Sequence, residues 1–401
     1  MRKRLAKIVK RLALLLCVVV VGTVLLVWIQ RCLPTNLPLP TGSFPVGRAS
    51  FDWVDPVRND PFAPQPGTKR ELTVWIWYPA SVGESFRSSE YLPAAWRAAL
   101  ARKQGPIFTN FISRDTSRVH GHSMDNAEVA SDQKTYPVIL VKPGVGALAL
   151  DYTALCEDLA SHGYIVVASD SPYNTFLVVY EDGRVVLRSP AAFPGNRASN
   201  PAIGVWAADN RFLLDRLTQL NQADPTHRFQ GHLNLEEVGV FGHSFGGAAA
   251  AEFCHEDPRC KAGIDVDGAP SGPVITTGLN RPFMFLMADH SGAGSAEDRQ
   301  ILGDIQAIYD RLPSGRHYAT LRGSGHFNFS DTCLLLNGAL RRVSGATGNI
   351  GDERGLHVAA ACIRAFFDVH LKGADPSLMD RLPSQYPELT WETNPVLTER
   401  H

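Results

Sequence analysis

The chain has 401 residues, of which 44% are hydrophobic and 20% charged, with a formal net charge of −1. That length supports a large core, the composition excludes a wholly disordered chain, and the charge balance gives no reason to bind nucleic acid. The sequence has no internal repeat and no zinc-type cysteine pairing.

The N-terminus is basic, with Arg2, Lys3, Arg4, Lys7, Lys10 and Arg11, and an uncharged run follows from Leu12 to Ile29. Eighteen helical residues span about 27 Å, one hydrocarbon core. The run ends in Trp28-Ile29-Gln30-Arg31, a poor cleavage site. Residues 1–34 therefore read as a signal anchor, with a cleaved secretion signal as the lesser alternative. The basic end stays in the cytoplasm by the positive-inside rule, and the rest lies in the periplasm or outside the cell. The Pro-rich stretch 35–45 reads as a short stiff linker, and 46–401 as one globular domain.

In chain order, "VGRASFDWVD" and "ELTVWIWYP" read as strands. The region from Ala80 to Thr135 reads as polar and irregular, with one amphipathic helix candidate from Tyr91 to Gly105. Its apolar positions are Leu92, Ala95, Trp96 and Ala99. It is expected to pack on the core, or else to form a lip over a site or rest on a membrane surface. His120 and His122 have no third ligand nearby and read as a solvated loop rather than a metal site.

After Tyr136 strands and helices alternate. "PVILV" is a continuous apolar strand, "DYTALCEDLASHG" a helix stopped by Gly163, and "YIVVASD" the next strand. A hairpin turns at Asp182-Gly183, and a long helix covers Ala202 to Asn221. Strand "EVGVF", a helix from Ser244, strands "KAGIDV" and "PFMFLM", a helix from Glu297 to Leu312, strand "HYATLR" and a last helix follow. This alternation predicts an α/β class fold, a mostly parallel sheet with helices on both faces, as in α/β-hydrolases.

Ser244 sits in Gly-His-Ser-Phe-Gly, between a strand and a helix. Glycines two before and two after a serine allow a sharp strand-to-helix turn that exposes Oγ, the nucleophile elbow. A hydroxyl needs a base to take its proton and a carboxylate to orient that base, in the chain order Ser, acid, His. His326, in "LRGSGHFNFSD" just past the last strand, is the expected base. His243 is expected to point elsewhere, and His255, His290, His317 and His357 to be surface or packing residues. Asp265, Asp267 and Asp289 all fall near strand ends, Asp265 the weakest. The residues themselves leave Asp267 and Asp289 equal. Val145, in "KPGVGAL", and Phe245 are the expected oxyanion donors. Cys254 and Cys260 enclose a short loop that brings two sulfurs within reach, while a pair of free thiols is an equal reading.

"GHSFGGAAA", "GIDVDG" and "RGSGHFNFSD" together resemble the plasma platelet-activating factor acetylhydrolase family, of the group VII phospholipase A2 type. The segment from Tyr136 to Asp170 resembles that family's oxyanion strand, loop and helix. The resemblance runs from about Pro38 onward. It implies Ser244 as nucleophile, Asp267 rather than Asp289 as acid, His326 as base, and Val145 and Phe245 as oxyanion donors. Where relatives read His-Gly-x-Gly-Ala, this chain has Pro143-Gly144-Val145-Gly146-Ala147. The implied function is hydrolysis of short or oxidised sn-2 acyl esters of phospholipids, without cofactor. The sequence leaves open a general short-chain carboxylesterase, a polyester or cutin-type hydrolase, acyl transfer to another alcohol, and an inactive tethered binding module. It leaves the oligomeric state open too.

Overall fold

The computed structural model describes residues 2–81, 87–189, 192, 200–290, 294–313, 316–336 and 347–392. Its strands are β1 (Thr35–Asn36), β2 (Val46–Asn59), β3 (Lys69–Pro79), β4 (Ser88–Glu90), β5 (Val119–Asp125), β6 (Tyr136–Lys142) and β7 (Ile165–Asp170). They continue with β8 (Leu177–Val179), β9 (Val185–Leu187), β10 (Leu233–His243), β11 (Cys260–Val266), β12 (Phe283–Ala288), β13 (Arg316–Leu321) and β14 (Leu389–Trp391). The large sheet has the order β1-β5-β2-β3-β7-β6-β10-β11-β12-β13-β14, with β4 paired to β5 and the β8–β9 hairpin apart. Pairing is parallel from β7 through β6, β10, β11 and β12 to β13. It is antiparallel at β2–β3, β3–β7 and β13–β14.

The middle strands are buried at every position, as expected of strands covered on both faces. Alternate residues then serve opposite layers. Val138 and Leu140 of β6 join a cluster with Leu213, Phe253 and Ile305. Ile139 and Val141 face Leu155, Leu159 and Phe366. The first layer is made by α4 (Ala202–Gln222), α5 (Phe245–Glu256) and the helix Ala296–Tyr309. The second is made by α3 (Thr153–Ser161) and the helix Asp352–Lys372. Fully burying each such side chain contributes about 1.5–3 kcal/mol.

From β6 the chain steps to β7 on one side, then crosses back to β10 on the other. The strand order reverses between β6 and β10. In an open α/β sheet, the crevice outside the carboxyl ends of two such strands is where ligands bind.

The N-terminal helix α1 (Arg2–Cys32) is long and apolar enough to cross a membrane, and its apolar window is not buried by the rest of the chain. Residues 35–45 are not a free spacer. Thr35–Asn36 pairs with β5, Leu37 is buried, and the Thr41 amide and hydroxyl both donate to Asp158.

The region 80–135 is more ordered than its sequence suggests. α2 (Ala94–Ile107) packs Trp96 edge-on against Trp75 of β3. Leu92, Trp96 and Ala99 are buried, but Ala95 is exposed. His120 and His122 lie on β5, not on a loop. The backbone of His122 and Ser123 donates to the buried Glu157 carboxylate, and a ring nitrogen of His122 lies 2.9 Å from the Leu37 carbonyl. Cys254 and Cys260 form a disulfide that ties the end of α5 to the start of β11.

Candidate active site

The residue after β10 is Ser244, and α5 begins at the next position. Ser244 has φ 58° and ψ −126°, a strained backbone that L side chains rarely adopt. Its amide donates to the Val266 carbonyl at 2.9 Å, which holds the turn against β11. The turn needs its glycines. A Cβ at Gly242 would lie 2.1 Å from the Gly246 carbonyl oxygen, and one at Gly246 would lie 2.2 Å from the Lys142 carbonyl oxygen.

The loop after β6 lies across the crevice from this turn. The Ala147 amide donates to the Gly144 carbonyl at 3.1 Å, and Gly146 sits at φ 78°. That is a turn whose third residue needs positive φ, so glycine belongs there. Val145 is at its tip and, like Phe245, packs against the small cluster that holds Trp206, Ala248 and Ala249. The expected donor residues Val145 and Phe245 are therefore brought together beside Ser244, on the loop and on the first turn of α5.

Asp267 follows β11 with φ 49°. Its amide is tied to the Leu286 carbonyl, so the carboxylate is fixed. One oxygen, Oδ2, lies 2.6 Å from His326 Nδ1. The other accepts from the Ala288 amide at 2.8 Å and lies 2.7 Å from His290 Nε2. Burial alone would push the Asp267 carboxyl up, but the hydrogen bonds and charges of His290 and His326 hold it well below the usual carboxylate range. With Nδ1 of His326 directed at Asp267, Nε2 is left for another proton. Ser244 and His326 both line two cavities.

Asp289 is elsewhere. Its carboxylate accepts from the Gly323 amide at 2.8 Å and its own amide donates to Ser324, so it shapes the loop that carries His326. Asp265 is fully buried. Burial and the charge of Asp267 push its carboxyl well above the usual carboxylate range.

Two histidines have roles their sequence positions did not announce. His290 was expected at the surface or in packing, and it is half-exposed, but it shares the Asp267 carboxylate. The hydrogen bond to Asp267 is the main reason its pKa is raised. His243 points under the site. Its Nε2 lies 2.8 Å from the His326 carbonyl oxygen, so that nitrogen carries the proton. Its Nδ1 then accepts from the Tyr152 hydroxyl at 2.8 Å, and Tyr152 accepts from the Gly144 amide at 3.1 Å. Burial and the nearby charge of His326 bring His243 down to about 3, so it stays neutral. The His243 and His326 rings lie 4.4 Å apart. This chain of bonds joins the loop after β6, the turn at Ser244 and His326. The only sequence signal for it is a histidine directly before Ser244.

The larger cavity measures about 700 Å³ and is lined by Ser244, His326, the loop at residues 144–148 and α2. The smaller, about 330 Å³, is lined by Ser244, Phe245, Asp267 and His326, with apolar walls from Met287, Ile301 and Leu302.

Comparison with known proteins fits this geometry. A family model described as platelet-activating factor acetylhydrolase, isoform II, matches residues 34–177 and 216–384. The chain is similar to a probable 1-alkyl-2-acetylglycerophosphocholine esterase of Arthroderma benhamiae, 26% identical over 384 residues, 88% of this chain and 93% of that one. It is similar to a platelet-activating factor acetylhydrolase of Cavia porcellus, 25% identical over 291 residues, 66% of this chain and 64% of that one. Among solved structures, a ferulic acid esterase from Streptomyces cinnamoneus superposes with a TM-score of 0.76 at 28% identity, covering 90% of this chain and 100% of that chain.

Proposed function

The chain belongs to the platelet-activating factor acetylhydrolase isoform II family and is a carboxylic ester hydrolase, and from that premise we propose that it cleaves short or oxidised sn-2 acyl esters of phospholipids. The observation that carries the reading is the 2.6 Å contact between Asp267 and His326 at the rim of the cavities that Ser244 also lines.

Ser244 Oγ attacks the ester carbonyl while His326 Nε2 takes its proton. Asp267 keeps the His326 proton on Nδ1 and stabilises the imidazolium that forms. The amides of Val145 and Phe245 hold the negative oxygen of the tetrahedral intermediate. His326 returns the proton to the departing alcohol, and water then releases the acyl group from Ser244 by the same route. The relatives' printed names support the phospholipid substrate, and the small apolar cavity of about 330 Å³ supports a short acyl chain. α1 would keep the catalytic domain at a membrane surface, where lipid is concentrated.

The test is kcat/KM of the full chain in detergent micelles on phosphatidylcholines that differ only in sn-2 length, beside matched simple esters, with Ser244→Ala as control. Preference for acetyl to butyryl phospholipids is the expected result. A second reading, a general carboxylesterase, is supported by the ferulic acid esterase likeness. Simple or aromatic esters turned over as well as the phospholipids would favour it.

A further inference from the structure

The apolar run of α1 ends at Ile29, and Arg31 occupies the last turn. This turn docks on the catalytic domain. Arg31 Nε donates to the Thr109 carbonyl at 2.7 Å, and its guanidinium lies 3.6 Å from the Asp115 carboxylate. The last carbonyls of a helix have no partner within it. Here they are met by the domain, since the Arg31 carbonyl accepts from the Asp115 amide at 3.2 Å and the Cys32 carbonyl from Arg118 at 3.0 Å.

Arg31 also lines the cavity of about 700 Å³ that reaches Ser244, and so do Arg97 of α2 and Arg114. Arg31, Arg97 and Arg114 line this cavity, Arg97 also pairing with Glu90 at 3.3 Å, and among the described residues no arginine lines the smaller one. The acids that line the larger cavity are Asp115, already held by Arg31, and the buried Asp151. The Asp151 carboxylate is itself engaged, accepting from the Leu148 amide at 2.8 Å. Guanidinium forks match phosphate oxygens, and they do so best away from bulk water. The wall of this cavity is thus built in part from the end of the membrane helix, within one turn of the apolar span.

We propose that the larger cavity holds a phosphodiester subsite, formed by Arg31 with Arg97 and Arg114, that takes the headgroup of a phospholipid from the membrane surface that α1 leaves. The inference rests on the phospholipid reading above and deepens it. It places the headgroup and glycerol on the Arg31 side of Ser244 and the short acyl chain in the smaller cavity beside Met287, Ile301 and Leu302. It also makes an uncleaved α1 part of the substrate site and not only a tether.

The test uses the full chain in detergent micelles and compares wild type with Arg31→Gln and the charge-preserving Arg31→Lys. The substrates are 1-alkyl-2-butyryl-glycerophosphocholine, the same lipid without its phosphocholine, and p-nitrophenyl butyrate. Glycerophosphocholine and inorganic phosphate are added as competitors of p-nitrophenyl butyrate hydrolysis. Arg31→Gln is expected to raise KM for the phosphodiester about tenfold, the worth of one charged hydrogen bond, and to leave both phosphate-free substrates unchanged. Arg31→Lys is expected to recover part of that loss. Glycerophosphocholine is expected to compete in wild type and to lose potency in Arg31→Gln. Equal loss on all three substrates, or no change on the phosphodiester, overturns the subsite and leaves the phospholipid reading standing. Arg31-dependent competition by glycerophosphocholine, without cleavage of the phospholipid, keeps the subsite and overturns the substrate reading. Inorganic phosphate competing as well as glycerophosphocholine overturns the headgroup assignment. Recovery of a mature chain cut after Arg31 overturns the proposal outright.

Discussion

The bond chain from Gly144 through Tyr152 and His243 to the His326 carbonyl makes a specific prediction for His243→Leu. Leucine fills most of the space but offers no polar atom. The Tyr152 hydroxyl and the His326 carbonyl, 2.8 Å from the ring nitrogens they now meet, each lose that partner. Leaving a buried polar group unsatisfied costs about 1–3 kcal/mol, so losing both partners should cost about 2–6 kcal/mol of stability, read by chemical unfolding. Catalysis should fall further than substrate binding, because the network holds His326 and not the substrate. A shift of about 1 Å at a catalytic group costs about 100-fold, so kcat on p-nitrophenyl butyrate should fall about 10- to 100-fold with KM little changed. Tyr152→Phe breaks one link of the same chain. The double variant should then lose less activity than the sum of the two single losses. If His243→Leu is destabilised yet keeps kcat to within about twofold, the network carries packing alone and its positioning role is wrong.

Asp267→Asn keeps the shape but removes the charge that fixes the His326 tautomer, and kcat should fall by about four orders of magnitude with folding intact, as checked by single-turnover assay. Asp170 is buried and accepts from the Ala149 amide and the Trp75 indole, and burial pushes its carboxyl up to about 7. The native state therefore keeps a proton that the unfolded chain loses near pH 4, and stability falls as pH rises from about 4 through about 7. Unfolding at pH 5 and pH 8 should show a loss of about 2–3 kcal/mol from this group, absent in Asp170→Asn. Replacing Cys254 and Cys260 with serine opens a short loop and should cost about 2 kcal/mol, measured by denaturant titration without reductant.

The parallel centre was legible because β6, β7 and β12 are continuous apolar runs bounded by loop residues, and such runs have few alternatives in a chain that alternates with helices. The elbow was legible because its glycines are forced by contacts near 2 Å. The edge of the sheet was not. β5 reads His-Gly-His-Ser, with no apolar alternation, because its polar groups are met by Glu157 from α3, a partner distant in sequence. The same reason hid His290 and His243. Each is an ordinary histidine in its own segment, and only the fold brings one to the second oxygen of Asp267 and the other beneath His326. Asp267 and Asp289 looked alike for a related reason. Both follow strands, and what separates them is that one faces His326 while the other caps the loop that carries it.

The most direct test of the account is covalent labelling of the folded full chain with a fluorophosphonate probe, followed by peptide mass analysis. The account predicts a single adduct on Ser244, absent in Ser244→Ala, and formed at least about a thousandfold more slowly in His326→Gln. An unlabelled Ser244 in folded, ester-hydrolysing protein, or full activity in Ser244→Ala, would contradict it.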